Sequence, residues 1–252
     1  MKKNNILYGI LLAGLWEGTA RILDSPQLMP TLVAILRSLL VELSAGDLWR
    51  YSLYSLASIL VGLSLSLVLA LLITLLSTKY SWLMEFFRFL NTLLHPLPGI
   101  AILPLMILWF GVGYKSIIFL IVHSVLWPVL SNLFLALDTF PVTLSMVGDN
   151  YEMGLVRKFV YLFLPGSMPQ LIAGIKTGWA RAFRAVISAE MFFGAIGATG
   201  GLGWYLVKKR VFMDTTGVFS GIVMILVLGV LFENVVLKGL ENRTMAKWGF
   251  KS

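Results

Sequence analysis

From residue 53 to residue 77 the chain carries no charge, and most of that stretch is Leu, Val, Ile, Ala and Ser. About 20 consecutive apolar residues suffice for a helix to cross the hydrocarbon core of a bilayer. The segment must be helical there, because lipid offers no partner to backbone N–H and C=O groups. The rest of the chain points the same way. Of 252 residues, 58% are apolar and 13% charged, against roughly 25% charged in an ordinary soluble domain. A soluble fold would need a polar surface that this chain does not have. At about 20 residues per span, the length leaves room for about six transmembrane helices and no separate soluble domain. The expectation is an all-α membrane protein with one membrane domain over residues 1–252.

The net charge of +8 is no signal for nucleic acid. Lys and Arg stand in ones, twos and one triplet between apolar runs, where loops and interface anchors carry them. The chain has no cysteine, which excludes disulfides, thiol nucleophiles and cysteine metal sites.

Along the chain, a basic start at Lys2 and Lys3 leads into an apolar run over residues 6–22. A secretory leader has that outline, but Glu17 and Arg21 sit inside the run, and a retained first helix is expected. Residues 31–43, with Arg37 and Glu42, are too short and charged to span, so they read as an interfacial helix. The uncharged run is the second span, and residues 78–88 read as a connecting loop. A third span over residues 91–112 holds Pro96, Pro98 and Pro104, and a fourth over 116–137 holds His123 and Pro128. Residues 138–161 form a long polar interval, closed by Pro165 and Pro169. A fifth span follows over 171–193, then a glycine-rich segment over 194–203, and the triplet Lys208, Lys209, Arg210 marks an aqueous boundary. The last span covers 218–237 and a basic tail ends the chain. Threading from a cytoplasmic N-terminus places Lys2, Lys3, Lys79, Arg88, Arg157, Lys158 and the tail inside. It leaves Arg21, Arg37, Arg50, Lys115 and the triplet outside, a weak positive-inside bias. Both termini are then cytoplasmic, in a multi-pass protein of the cell (inner or plasma) membrane.

Chemistry-bearing motifs are sparse. The two histidines, His95 and His123, lack the spacing of a zinc hydrolase, and the glycine-rich segment lacks the Lys-Ser/Thr of a phosphate loop. No G-x-S-x-G is present, so neither an ATPase nor a protease is expected in this chain. The fifth span is the exception, because Lys176, Arg181, Arg184 and Glu190 interrupt an apolar run. Each charge near mid-bilayer costs at least about 2.5–3.5 kcal/mol on insertion scales. Arg181 and Arg184 are three apart and share a helical face. They either make a structural pair with Glu190 or another helix's charge, or they line a pathway for an anion. The prolines of the third span fit a kinked, pathway-lining helix.

The run Pro98, Gly99, Ile100, Ala101, Pro104, then Trp109, Phe110, Gly111, Gly113 resembles the third-helix signature of permease subunits in ATP-binding-cassette (ABC) importers, in the nitrate/sulfonate/taurine branch. Pro128 and Asn132 are similar to that branch's fourth helix. Leu164, Pro165, Pro169 and Gly174 resemble the end of its coupling segment and the entry to the fifth helix. Ala189, Glu190 and Met191, then Gly201 to Gly203, then Glu241, Arg243 and Trp248 fit the same pattern. The resemblance covers roughly residues 50–250, with the core at about 50–245.

The resemblance implies a type I importer permease fold in which no cofactor binds this chain, ATP and Mg being held by partner subunits. The implied partners are a second permease subunit (a second copy of this chain), two ABC ATPase subunits, an extracytoplasmic substrate-binding protein and the lipid bilayer. It also implies a cytoplasmic coupling helix within residues 138–165, with Asp149, Asn150, Tyr151, Glu152, Met153, Gly154, Arg157 and Lys158 as the ATPase-coupling residues. Gly154 lies two residues closer to Leu164 and Pro165 than the family's motif places its glycine. The expected translocation pathway is His95, Pro98, Pro104, His123, Arg181, Arg184 and Glu190. The cargo is a small solute, an anion such as nitrate, a sulfonate or taurine. A self-contained channel or secondary transporter is the alternative.

Overall fold

The computed structural model describes residues 3–44, 46–195 and 200–247, and helices account for nearly all of them. The elements are α1 (Lys3–Leu23), α2 (Leu32–Ser44), α3 (Leu48–Ser77), α4 (Ser81–Leu94), α5 (Gly99–Phe110), α6 (Tyr114–Asp138) and α7 (Val142–Asn150). The short α8 (Leu155–Lys158) passes through a π turn (Phe159–Phe163) into α9 (Leu164–Gly166). Then come α10 (Met168–Ala195), α11 (Leu202–Val211), α12 (Thr215–Leu231), a second π turn (Phe232–Leu237) and α13 (Lys238–Lys247). Among the described residues there is no strand.

Three segments are long and apolar enough to cross a membrane: Leu48–Ser77, Tyr114–Asp138 and Thr215–Thr244. The pair α4 and α5 makes a fourth if taken together, bent by 105°. Helices α1 and α10 are long enough at 21 and 28 residues, and the charges embedded along them set them apart from those three. The interfacial reading of residues 31–43 corresponds to α2.

The third span needs correction. Instead of one kinked helix over 91–112, the chain makes two helices at nearly a right angle. Pro96 and Pro98 bring no amide hydrogen to continue the ladder, and Pro98 is extended at φ −61°, ψ 129°. The connecting loop expected over residues 78–88 is corrected with it. Helix α4 starts at Ser81, so Glu85 and Arg88 are helical.

The chain divides into two compact units, Met1–Leu56 with Glu190–Leu228, and Ala57–Ala189 with Gly229–Ser252. In the first, the charges inside α1 have a structural use. Glu17 accepts from Arg21 and from the Leu32 backbone N–H at 2.9 Å, so it caps the start of α2. Trp16 donates to the Pro30 carbonyl at 3.0 Å and packs edge-on against Phe219. Near the end of α11, Lys209 sits between Glu42 and Asp214, whose carboxylates it bonds.

In the second unit α6 is the axis, with Leu120, Ile121, Val125, Val129, Leu130 and Leu133 fully buried. Glycines let its neighbours approach. A Cβ at Gly62 of α3 would fall 2.4 Å from Ile121, and one at Gly178 of α10 would fall 2.9 Å from Val125. Close approach of this kind holds helices together where lipid removes the hydrophobic drive between them. Arg88 bonds Asp138 at 2.6 Å and Asn91 donates to Ser131 at 2.7 Å, tying α4 to α6. Trp179 stacks on Phe232 with centroids 3.4 Å apart.

Candidate functional site

A break in a helix leaves carbonyls without partners and concentrates negative partial charge at its C-terminal end. At the end of α4 that charge meets a cation. Arg181 of α10 donates through Nη1 to the His95 carbonyl at 3.2 Å, and its Nη2 lies 2.7 Å from His95 Nε2. A guanidinium has no lone pair to offer, so the ring nitrogen is the acceptor and the His95 proton sits on Nδ1. One arginine thus holds the broken corner by its backbone and its side chain together.

Around this corner lies a cavity of about 410 Å³, within the usual range for small-ligand sites. Three elements supply its walls. The corner gives Leu94 to Ile100, including His95 and Pro98; α6 gives His123, Ser124 and Trp127; α10 gives Arg181, Arg184, Ala185 and Ser188. The α10 set has the spacing i, i+3, i+4, i+7 of one helical stripe. Arg184 lies exposed and bonds the Ala180 carbonyl through Nε at 3.1 Å. No carboxylate lines the cavity, and among the described residues neither arginine makes an ion pair.

Of the pathway residues expected from the sequence, the structure gathers His95, Pro98, His123, Arg181 and Arg184 here. Pro104 and Glu190 are not in the lining. Pro104 is exposed inside α5. Glu190 is fully buried and accepts from Ser55 Oγ at 2.9 and 2.8 Å and from the Gly203 N–H at 3.0 Å. Ser55 in turn accepts from the Leu202 N–H at 2.8 Å. A carboxylate this enclosed, with its lone pairs taken by the protein, braces α3, α10 and the start of α11. The structural pair between the arginines and Glu190 is therefore absent. Lys176 bonds Glu241 of α13 at 2.6 Å, so that charge is satisfied by the chain's C-terminal helix.

Ser124, Trp127 and Ser188 were missed from the sequence. Each reads as an ordinary helix residue, and only the 105° corner brings α6 and α10 around a common space.

The segment expected to couple to an ATPase forms a helix–turn–helix. Helix α7 ends at Asn150, Glu152 takes a left-handed turn at φ 47°, and α8 begins after Gly154. Asp149, Asn150, Tyr151, Glu152, Gly154 and Arg157 are exposed, Tyr151 at 76%. Met153 is half-buried, and Lys158 bonds back to Asp149. Gly154 has an ordinary negative φ, and a Cβ there would meet nothing within 4 Å. Nothing local demands glycine at 154. At Gly148 a Cβ would fall 2.9 Å from Leu162 and 3.1 Å from Lys158, so this is the tight contact between α7 and the following helix. Trp248 lies outside the described residues, as do Gly197, Ala198 and Thr199 of the glycine-rich segment.

Residues 62–244 match the family described as binding-protein-dependent transport system inner membrane component. The formylaminopyrimidine transport permease protein ThiX of Halalkalibacterium halodurans is 29% identical, the alignment covering 94% of this chain and 92% of that protein. The taurine transport system permease protein TauC of Escherichia coli is 25% identical, over 93% of this chain and 85% of its own length. The riboflavin transport system permease protein RibX of Chloroflexus aurantiacus is 26% identical, over 95% and 87%.

Proposed function

Because the chain belongs to the family of binding-protein-dependent transport system inner membrane components, we propose that it forms the translocation pathway of an ATP-driven importer for a small anion. It is an ABC transporter permease of the sulfonate/taurine branch with the type I permease fold, embedded in a membrane. The single observation carrying the anion reading is the cavity at the α4–α5 corner, lined by two arginines and two histidines and by no carboxylate. Fields from like charges in a low-dielectric cleft raise the local concentration of the opposite charge. The named relatives carry solutes as different as a pyrimidine and a sulfonate, so the cargo is argued from the cavity and not from them.

On this reading the chain is one of two permease subunits, a second copy supplying the other half. ATP hydrolysis belongs to two separate ABC ATPase subunits, and an external binding protein delivers the solute. The exposed helix–turn–helix over residues 142–158 docks an ATPase, with both termini on that cytoplasmic side of the cell membrane. The whole chain acts as one permease domain.

The deciding experiment reconstitutes the purified chain in liposomes, alone and with its ATPase subunits, and follows uptake of labelled nitrate, alkanesulfonates and taurine. Uptake is expected only with the ATPase subunits and ATP. Uptake by the chain alone would instead make it a self-contained carrier.

A further inference from the structure

Two arginines stand on one stripe of α10, and they are held in different ways. Arg184 is exposed and bonds the Ala180 carbonyl of its own helix at 3.1 Å. Arg181 is half-buried, and its head is gripped from another element, by the His95 carbonyl at 3.2 Å and His95 Nε2 at 2.7 Å. His95 is itself fixed. Its N–H closes the last turn of α4 on the Asn91 carbonyl at 2.9 Å, and the Asn91 side chain donates to Ser131 of α6. The stem of Arg181 is fixed from the same helix. Gly178, about one turn earlier, packs against Val125 of α6 so closely that a Cβ would fall 2.9 Å from it.

A guanidinium carries five N–H donors. Arg181 gives two of them to His95, which leaves three, and no carboxylate lines the cavity to take those. A long side chain ordinarily loses rotamer freedom when it closes on a ligand, and that loss is subtracted from the affinity. Here His95 imposes the loss in the folded protein, before a ligand arrives. The side-chain contact depends on a single lone pair. Imidazole offers it at Nε2 only as the neutral Nδ1–H tautomer, and an apolar side chain offers none.

We infer that His95 is a positioning residue for transport: its ring nitrogen and its carbonyl hold the Arg181 guanidinium at the cavity wall. Arg181 is then the fixed anchor for the anion and Arg184 the loose one. The inference rests on the proposed anion pathway and adds to it the residue that sets its geometry.

Two measurements test it. In the first, tag-free chain carrying isotope-labelled histidine is followed by NMR in lipid nanodiscs; the chain has two histidines, and His95→Gln assigns them. His95 should show the Nδ1–H tautomer with an accepting Nε2, and that signature should be lost in Arg181→Gln. The second follows ATP-driven uptake of labelled nitrate, alkanesulfonates and taurine by the reconstituted importer. His95→Leu, which has no acceptor, should slow uptake roughly three- to tenfold, the range that ordering one side chain costs, at an unaltered melting temperature. His95→Gln, whose amide oxygen accepts where Nε2 did, should recover most of the rate. The Leu effect should vanish in an Arg181→Gln background and persist in an Arg184→Gln background. Full uptake in His95→Leu, a loss that tracks a lower melting temperature or that Gln does not recover, or a Leu effect that persists without Arg181 would overturn the inference. So would a histidine signature indifferent to Arg181→Gln. No uptake by the unaltered importer would instead overturn the proposed function, and the histidine signature would still decide whether His95 holds Arg181.

Discussion

Helix α10 carries two kinds of charge, and they are treated in opposite ways. At its C-terminal end Glu190 is fully enclosed, with Ser55 and the Gly203 amide filling its lone pairs. Roughly two turns earlier, Arg181 and Arg184 face a cavity, with no carboxylate beside them. A charge in an apolar helix is expensive, and the two ends show two ways to keep one. Glu190 is hydrogen-bonded by donors that the fold itself provides, which makes it a brace. The arginines give some donors to His95 and the Ala180 carbonyl but meet no carboxylate, so their charge stays available to a ligand in the cavity.

The comparison fails if the two sets of charges can exchange roles. The largest effect is expected from replacing Arg181 and Arg184 together by Gln. ATP-dependent anion uptake should fall at least about a hundredfold, within the range that charge focusing contributes. Detergent-solubilised protein should still elute as a single folded peak on size exclusion. A variant that transports normally would show that the arginines, like Glu190, serve structure alone.

Next in size is Gly201→Ala. Its Cβ would stand 2.0 Å from Ser55 Oγ and 2.5 Å from Glu190 Oε1, atoms on short or fixed side chains that have nowhere to go. The expected cost is about 3 kcal/mol or more, read as a lower melting temperature. Gly154→Ala serves as the control and should leave stability unchanged, because nothing lies within 4 Å.

A smaller effect concerns the exposed helix–turn–helix, where Lys158 is tied to Asp149 and Arg157 is exposed with no ion pair of its own among the described residues. Arg157→Glu should lower solute moved per ATP severalfold in the reconstituted complex, with melting unaltered. Tight coupling in that variant would remove Arg157 from the docking surface.

The smallest is a pH effect at the α2–α11 clasp, a second place where charge is closed off. Burial pushes the Asp214 carboxyl up, but bonds from Lys209 and the Gly217 N–H outweigh it and hold the pKa below the usual 3.8. Burial opposes the charged form of Lys209 too, and the Glu42 and Asp214 carboxylates raise its pKa above 10.5. A lowered acid gives stability above its unfolded pKa that is lost as pH falls through the folded one; a raised base gives stability that is lost as pH rises through its own. The clasp's contribution to melting temperature should therefore be flat between about pH 5 and pH 9 and decline outside that window. In Lys209→Met the decline that belongs to the clasp should be missing.

Much of the layout was legible beforehand, because bilayer physics writes directly into sequence. The uncharged run became α3, residues 116–137 became α6, and the polar interval became the exposed helix–turn–helix, each bounded within a few residues. The cavity was partly legible: the α10 stripe and both histidines stood out as polar groups in apolar surroundings. Ser124 and Trp127 did not, since a serine or tryptophan in a helix is unremarkable until its neighbours fail to satisfy it. Glu190 is visible in the sequence as a charge in an apolar run, but its enclosure depends on Ser55, 135 positions away.

By itself the sequence determined that this chain lives in a membrane, where its most apolar spans lie and which helix carries charge, since these follow from local hydropathy and covalent spacing. Only the tertiary structure decided that residues 91–112 turn through a corner of 105° and do not form one continuous helix. It also decided which charges meet a partner and which meet a void. Those outcomes depend on backbone donors that Pro96 and Pro98 lack and on how closely glycines let α3 and α10 approach α6. They are properties of packing, and packing is settled between segments that the sequence lists far apart.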